Sequence, residues 1–216
     1  MFPIPYLQPF LRSQFGKPSG WFGSVFLAPL LNVANQGLIR TTIDLLDPKP
    51  DETILDVGFG GGYSLAELAE RVTRGKVIGV DYSPEMVDAA AELLKSRHLQ
   101  SRVSARLGDV TKLPFRARTF HKVISVNAIY YWPNPIAGFR EIARVLKTSG
   151  EVAIGLRSPA SLGFLTIGWQ EFSLYEPREV AGMMEKAGLH VSKVEHRDRW
   201  QILDTVVVVG KRGGRT

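Results

Sequence analysis

The sequence predicts an α/β domain built on a doubly wound, mostly parallel sheet of seven strands with an antiparallel last strand. Short apolar runs alternate along the chain with segments whose apolar residues recur at helical spacing, which is the pattern of βαβ units. A cluster of glycines follows the first apolar run after residue 50. The 216 residues are 44% hydrophobic and 22% charged, a composition that predicts one folded domain with a small addition.

An N-terminal helical cap is expected over residues 1–50, followed by the main domain over residues 51–216. The cap segment is rich in proline, glycine and aromatic residues. A helix is expected over Ala28–Leu46, because Pro48 and Pro50 prevent it from continuing.

A stretch without charge runs from Pro18 to Ile39, long enough to raise the question of a membrane span. Prolines, glycines and asparagines interrupt its apolar residues, so we expect neither a span nor a signal peptide. Two interpretations are left open, an aromatic cap over a binding site and a segment that lies at a membrane interface. The aromatic residues of this region are Phe10, Phe15, Trp21, Phe22 and Phe26.

The first half of the main domain repeats a strand, a turn and a helix. Thr53–Val57 is a short apolar run, and Ser64–Val72 carries apolar residues at helical spacing. Lys76–Val80 predicts a buried strand, and a proline at the first turn opens a helix over Pro84–Arg97. A third strand fits Arg102–Leu107.

The second half continues the alternation and closes with two strands joined by a turn. A glycine after the last predicted helix is a typical helix end. The predicted elements are strands at Phe120–Val126 and Gly150–Leu156, helices at Ile136–Leu146 and Glu176–Ala187, and final strands at Leu189–Glu195 and Gln201–Val209.

Composition excludes several classes of site. The chain has no cysteine, so disulfides, thiolate metal sites and a cysteine nucleophile are excluded. Its four histidines lack the spacing of a catalytic metal site, and we expect no metal. The formal net charge is +6, concentrated in Lys95–Lys122 and in the C-terminal tail. We interpret that stretch as a solvated surface.

The turn after the first strand carries the pattern Asp56-x-Gly58-x-Gly60-x-Gly62. Ligands of doubly wound sheets bind outside the carboxyl ends of the strands, and glycines let the backbone approach them closely. A dinucleotide fingerprint would need glycine at position 63, which is Tyr63. The pattern resembles instead motif I of the class I S-adenosylmethionine-dependent methyltransferases, whose fold is Rossmann-like.

The resemblance assigns roles to further strand ends. Asp81 follows the second strand and is expected to bind the ribose of S-adenosylmethionine, while Tyr82 and Met86 flank the adenine. Asp109, with Val110 beside it, matches the family's acidic residue that accepts from the adenine amino group. Asp56 and the glycines complete the cofactor set.

The fourth strand is expected to bring Asn127, Tyr130 and Tyr131 to the mouth of the site. Asn127 and Tyr130 share the first and last positions of the Asn-Pro-Pro-Tyr motif of amino-group methyltransferases, but both prolines are missing. Asn127 therefore either orients an amine or forms part of the wall of the cofactor and substrate pocket. Candidate proton acceptors are Tyr130, Tyr131 and Glu171, the last in the Ser158–Tyr175 connection.

These observations predict an enzyme that transfers a methyl group from S-adenosylmethionine to an O, N or C atom of a small, apolar or aromatic molecule. Lipid or phospholipid methylation at a membrane surface is the first alternative, followed by RNA methylation and by a non-catalytic module that binds the cofactor. Nucleic acid is the less favoured partner, because no RNA-binding module accompanies the basic stretch. A cytoplasmic location is expected from the absence of export signals, and the oligomeric state stays open.

Overall fold

The computed structural model describes residues 28–159, 173–197 and 205–213, with side chains for 35–159, 173–196 and 205–213. The helices are α1 (Ala28–Leu46), α2 (Tyr63–Arg71), α3 (Pro84–Ser96), α4 (Pro135–Val145) and α5 (Pro177–Lys186), with a 3₁₀ turn at Ile129–Tyr131. The strands are β1 (Thr53–Val57), β2 (Lys76–Asp81), β3 (Val103–Leu107), β4 (Phe120–Val126), β5 (Leu146–Arg157), β6 (Leu189–Arg197) and β7 (Thr205–Arg212).

The seven strands form one sheet in the order β3-β2-β1-β4-β5-β7-β6. The first five are parallel, and β7 is antiparallel to both neighbours. This confirms the predicted doubly wound sheet with an antiparallel last strand. Because β1 to β5 are parallel, their carboxyl ends meet at one edge, which is where the glycine turn lies.

Apolar side chains alternate between the two faces of the sheet, and each face carries its own core. Leu55 and Val123 face the layer of α4 and α5, whereas Ile54 and Ile124 face the layer of α1, α2 and α3. All four side chains are fully buried. The period of two in these strands therefore sets which helices cover which face.

Helix α1 packs directly on the sheet. Its side chains Leu38, Ile39, Ile43 and Leu46 are buried in the same cluster as β1 and β4 residues. The Nζ atom of Lys122 donates to the carbonyl oxygens that end the helix, at 2.5 Å for Leu46 and 3.1 Å for Asp47. A buried cation at a helix C-terminus is stabilising.

The last two strands end two and three residues later than predicted, and β5 differs most from its prediction. The sequence predicts Gly150–Leu156, but β5 begins at Leu146 and ends at Arg157. The additional residues at its start are mostly polar and sit opposite a register shift in β4, so no apolar run marks them. Of the helices within the described ranges, none is both long and apolar enough to cross a bilayer.

Candidate functional site

The turn between β1 and α2 holds three glycines in the left-handed region of backbone conformation. The φ angle is 75° at Gly58, 56° at Gly60 and 89° at Gly62, which favours glycine over residues with a Cβ. A Cβ at Gly58 would lie 2.4 Å from the Cβ of Ala128, and a Cβ at Gly62 would lie 2.8 Å from that of Ala90. A Cβ at Gly60 would meet no described atom within 4 Å. The backbone of Gly60 therefore faces open space that a ligand can enter.

Asp81 connects the end of β2 to this turn. Its Oδ2 accepts a hydrogen bond from the backbone N–H of Gly60 at 3.0 Å, and its Oδ1 accepts from the N–H of Ser83 at 3.0 Å. Burial raises the pKa of Asp81, and the backbone hydrogen bonds from Ser83, Gly60 and Tyr82 act in the opposite direction. A carboxylate has about four acceptor positions, so this one can orient the turn and still accept from a ligand hydroxyl.

Asp56 is a second buried carboxyl group, on the neighbouring strand. It is 1% exposed, and its Oδ2 has no hydrogen-bond partner in the described part of the chain. Burial raises the pKa of Asp56 to about 7; a hydrogen bond with Ser64 lowers it, and the charge of Asp81 raises it further. An unpartnered buried acceptor is unfavourable. The two carboxyl groups therefore fit a ligand that brings hydroxyl donors and a positive charge.

The remaining predicted cofactor residues follow β2 or β3 in the chain. Because these two strands are parallel neighbours, the residues lie at the same edge of the sheet. Tyr82 is 47% exposed, whereas Met86 and Val110 are buried. Asp109 is exposed, and its Oδ1 accepts from the N–H of Thr111 at 2.7 Å. An open aromatic ring, two apolar side chains and an exposed carboxylate thus share one end of the sheet, a combination suited to a nucleobase.

Asn127 follows β4 with a φ angle of 52° and contacts two other elements. Its Nδ2 donates to Oδ1 of Asn35 in α1 at 2.8 Å, and its Oδ1 lies 3.4 Å from the hydroxyl of Tyr130. That hydroxyl accepts from the N–H of Arg157 at 2.7 Å and donates to the Arg157 carbonyl at 3.0 Å. Burial raises the pKa of both Tyr130 and Tyr131. Both phenols are therefore neutral near pH 7 and are suited to donate a hydrogen bond.

Other predicted residues fall outside the described ranges. Glu171 is one of them, so its position relative to the cleft stays a prediction. The same holds for the aromatic residues of the N-terminal segment. The connection after β5 holds three further aromatic residues outside the described ranges, Phe164, Trp169 and Phe172.

Three residues of the site were not predicted from the sequence. Asn35 meets Asn127 across 92 positions of the chain, and Ala128 is the side chain that limits position 58. Ser64 is the hydrogen-bond partner of Asp56. Of the three, only Asn35 had a local hint, since it is one of the polar residues that interrupt the uncharged N-terminal stretch.

Comparison with known proteins gives a family match and several relatives. Residues 54–150 match the family model described as a methyltransferase domain. The chain is 32% identical to the uncharacterised methyltransferase YdaC of Bacillus subtilis, over 59% of this chain and 68% of that protein. It is also 32% identical to erythromycin 3''-O-methyltransferase of Saccharopolyspora erythraea, over 62% of this chain but only 45% of that enzyme. It therefore spans less than half of the latter's length.

A solved structure shares the fold over nearly the whole chain. It is the methyltransferase in a complex with the Haloferax volcanii Trm112 methyltransferase activator, with a TM-score of 0.78. The match covers 89% of this chain and 96% of that one at 22% identity. At this identity the likeness concerns the fold.

Proposed function

Because the chain belongs to the class I S-adenosylmethionine-dependent methyltransferases, we propose that it transfers a methyl group from this cofactor to a small molecule. The acceptor atom is O, N or C, and the acceptor is apolar or aromatic. The observation that carries the proposal is the turn in which the Asp81 carboxylate holds the N–H of Gly60 at 3.0 Å, beside open space. A relative that methylates erythromycin supports a small-molecule acceptor.

The cofactor residues divide by the chemistry they offer. Asp81 would accept from the ribose hydroxyls, and the turn at Gly58, Gly60 and Gly62 would let the backbone approach the cofactor. Asp56 would supply negative charge near a cationic ligand, because its Oδ2 is buried and has no hydrogen-bond partner among the residues that the structure describes. The residues assigned to the adenine are Tyr82, Met86, Asp109 and Val110, with Asn127 closing the pocket on the β4 side.

When bound, S-adenosylmethionine supplies a methyl group already activated on a sulfonium. The chain's own contribution is then to align the acceptor and exclude water. Tyr130 is engaged with the backbone of Arg157 and is neutral, so we assign it to positioning the loop after β4. An acceptor that must lose a proton needs a different base, and Glu171 stays the candidate for that role.

The test measures cofactor binding and methyl transfer on the same protein. The full chain is titrated with S-adenosylhomocysteine in a calorimeter and then incubated with methyl-labelled S-adenosylmethionine and a panel of small aromatic and aliphatic acceptors. Asp81→Asn should weaken binding and lower the rate of transfer at limiting cofactor, because the carboxylate is lost from the turn. Asp88→Asn is the matched control, since Asp88 is exposed on α3 and the same charge is removed.

The remaining functions correspond to distinct outcomes of this test. Transfer that requires phospholipid vesicles would favour lipid methylation, and salt-sensitive labelling of RNA would favour RNA methylation. Binding of S-adenosylhomocysteine without labelling of any acceptor from broad extracts would favour a non-catalytic module. Absence of binding to both the cofactor and its demethylated product would overturn the proposal.

Two further expectations accompany this function. We propose that residues 1–50 act as a cap whose aromatic side chains choose the acceptor, together with the connection that follows β5. We also propose a cytoplasmic location, where S-adenosylmethionine is supplied. Exchange of residues 1–27 for the corresponding segment of a relative should change the preferred acceptor and leave the affinity for S-adenosylhomocysteine within about threefold.

A further inference from the structure

A polar cavity lies at the opposite edge of the sheet from the glycine turn. It has a volume of about 320 Å³ and is formed where β4 and β5 begin. Its lining includes Glu52, His121, Lys122, Lys147 and Glu151. The proposed methyl transfer uses none of these residues, so their charged and polar side chains have no role in it.

A bulge places Lys147 over the start of β4. The register between the two strands passes from Phe120 opposite Leu146 to Lys122 opposite Glu151, so residues 147–150 stand against a single residue, His121. Within this bulge Ser149 has a φ angle of 63°. A Cβ on Gly150 would lie 3.0 Å from the carbonyl oxygen of His121. The bulge of residues 147–150 therefore packs closely against β4 and places Lys147 beside His121.

The carboxylates of the cavity already have partners. Glu151 forms ion pairs with Lys122 at 2.8 Å and with Lys211 at 2.9 Å. The Oε2 atom of Glu52 accepts from the N–H of Lys49 at 2.7 Å. Neither carboxylate pairs with Lys147, and within the described ranges no carboxylate oxygen lies within 4.0 Å of its ammonium.

At the contact between His121 and Lys147, each side chain directs a hydrogen-bond donor toward the other, and neither offers an acceptor. The Nδ1 atom of His121 accepts from the N–H of Thr53 at 2.9 Å, so the proton of the neutral imidazole is on Nε2. That Nε2 atom lies 2.8 Å from Nζ of Lys147, an ammonium that can only donate. Two donors at this distance satisfy neither group, whereas one oxygen that accepts from both would satisfy each.

We propose that His121 and Lys147 form the two donors of an oxyanion site, which binds a phosphate or carboxylate group of a small molecule in this cavity. On binding, Nε2 and Nζ separate and both donate to oxygens of the anion. The ammonium supplies the charge that the ligand neutralises, since Glu151 is paired with two other lysines and Glu52 is turned to the backbone N–H of Lys49. The site is independent of the proposed methyl transfer, which uses the other edge of the sheet.

The test observes the His121 imidazole by NMR while inorganic phosphate or sodium acetate is titrated at constant ionic strength. The other three histidines, His98, His190 and His196, act as internal references. The expected result is a saturable shift of the His121 Nε2 resonance alone, with at least one of the two anions. Saturation with phosphate only indicates a phosphoryl group, and saturation with acetate indicates a carboxylate.

Two variants and a control make the test specific. Lys147→Gln should weaken the apparent affinity at least tenfold, whereas Lys95→Gln, which removes the same charge from the exposed surface of α3, should leave it within twofold. His121→Asn keeps an acceptor near the position of Nδ1 for Thr53 and removes the Nε2 donor. Followed through the backbone amide resonances of residues 147–151, which line the cavity, it should bind the anion weakly while remaining folded by circular dichroism.

Three results would overturn the proposal. They are no response of His121 to either anion, a linear response shared by all four histidines, and equal affinity of wild type and Lys147→Gln. Binding of S-adenosylhomocysteine, measured on the same samples, reports on the other edge of the sheet. Failure of the oxyanion site can thus be told apart from failure of the proposed function.

Discussion

On the glycine side of the cleft, which comprises residues 56–64 and 81–86, the site is formed by residues close to one another in the sequence. On the β4 side, which comprises Asn35, Asn127, Tyr130 and Arg157, it is formed by residues from α1, the segment after β4 and the end of β5. The contact between Asn35 and Asn127 joins residues 92 positions apart. On the glycine side, Asp81 reaches Gly60 across 21 positions, within a single βαβ unit.

This difference separates two kinds of constraint. The glycine side depends on backbone geometry and buried charge, which restrict the residue type at each position. The β4 side depends on side-chain hydrogen bonds between elements that tertiary packing brings together. Substitutions on the glycine side should therefore affect folding and cofactor binding strongly, and those on the β4 side should have smaller effects.

The largest expected effect contrasts two glycines of the same turn. Gly58→Ala combines left-handed strain with a contact at 2.4 Å to the Cβ of Ala128, so it should lower the free energy of unfolding by about 2 to 5 kcal/mol. Gly60→Ala carries the backbone strain alone and should cost about 1 to 2 kcal/mol. It should still weaken binding of S-adenosylhomocysteine more than tenfold, because its Cβ enters the open space. Urea unfolding and calorimetry measure both quantities, and equal losses of stability would contradict the packing assignment.

The next effect concerns the pH dependence of stability caused by Asp56. Its pKa is about 7 in the folded protein against an ordinary value of 3.8, so the folded state holds the proton more tightly than the unfolded state. Stability should therefore fall as the pH rises from about 4 to 7 and stay level above that, by up to about 4 kcal/mol. Asp56→Asn removes this contribution. As the pH rises from about 4 to 7, the free energy of unfolding of the variant should therefore increase relative to that of the wild type. Parallel pH profiles of urea unfolding for the two proteins would contradict the assignment.

A smaller effect is expected at Asp81. Asp81→Asn should leave the fold intact and weaken binding of S-adenosylhomocysteine by about 1.5 to 3 kcal/mol, the range for hydrogen bonds to a charged acceptor. The loss includes freer motion of the Gly60 N–H, which the carboxylate holds in the wild type. Calorimetry with Asp88→Asn as control measures it, and an affinity equal to that of the control would remove the ribose assignment.

The smallest effect belongs to the β4 side. Tyr130→Phe removes the hydroxyl that bonds the backbone N–H and carbonyl of Arg157, and should lower stability by about 1 to 2 kcal/mol. The hydroxyl of Tyr175 makes no hydrogen bond within the described residues, so Tyr175→Phe is a matched control for the stability measurement. If Tyr130 only positions the loop, the pH profile of methyl transfer should keep its shape in Tyr130→Phe. A lost limb of that profile would instead place Tyr130 in proton transfer.

The local elements were predictable because their signals lie in neighbouring residues. The bounds of α1, β1 and β4 agree with the expectation from apolar spacing and flanking prolines and glycines. The early start of β5 was not predicted, because Leu146 pairs with Phe120 ahead of a bulge whose residues 147–149 are polar, and no apolar run marks that segment. The position of β7 between β5 and β6 likewise depends on pairing between strands and has no signature in either run.

The sequence by itself determined the family, the glycine turn and the acidic residues at the strand ends. Each of these is a pattern of residue types at short spacing: glycines at alternate positions after an apolar run, or an acidic residue where an apolar run ends. Only the tertiary structure decided that Gly58 is limited by Ala128, that Asn35 meets Asn127, and that His121 faces Lys147 with one donor against another. The physical reason is that a hydrogen bond or a close contact depends on distances between elements, which packing fixes and local composition does not encode.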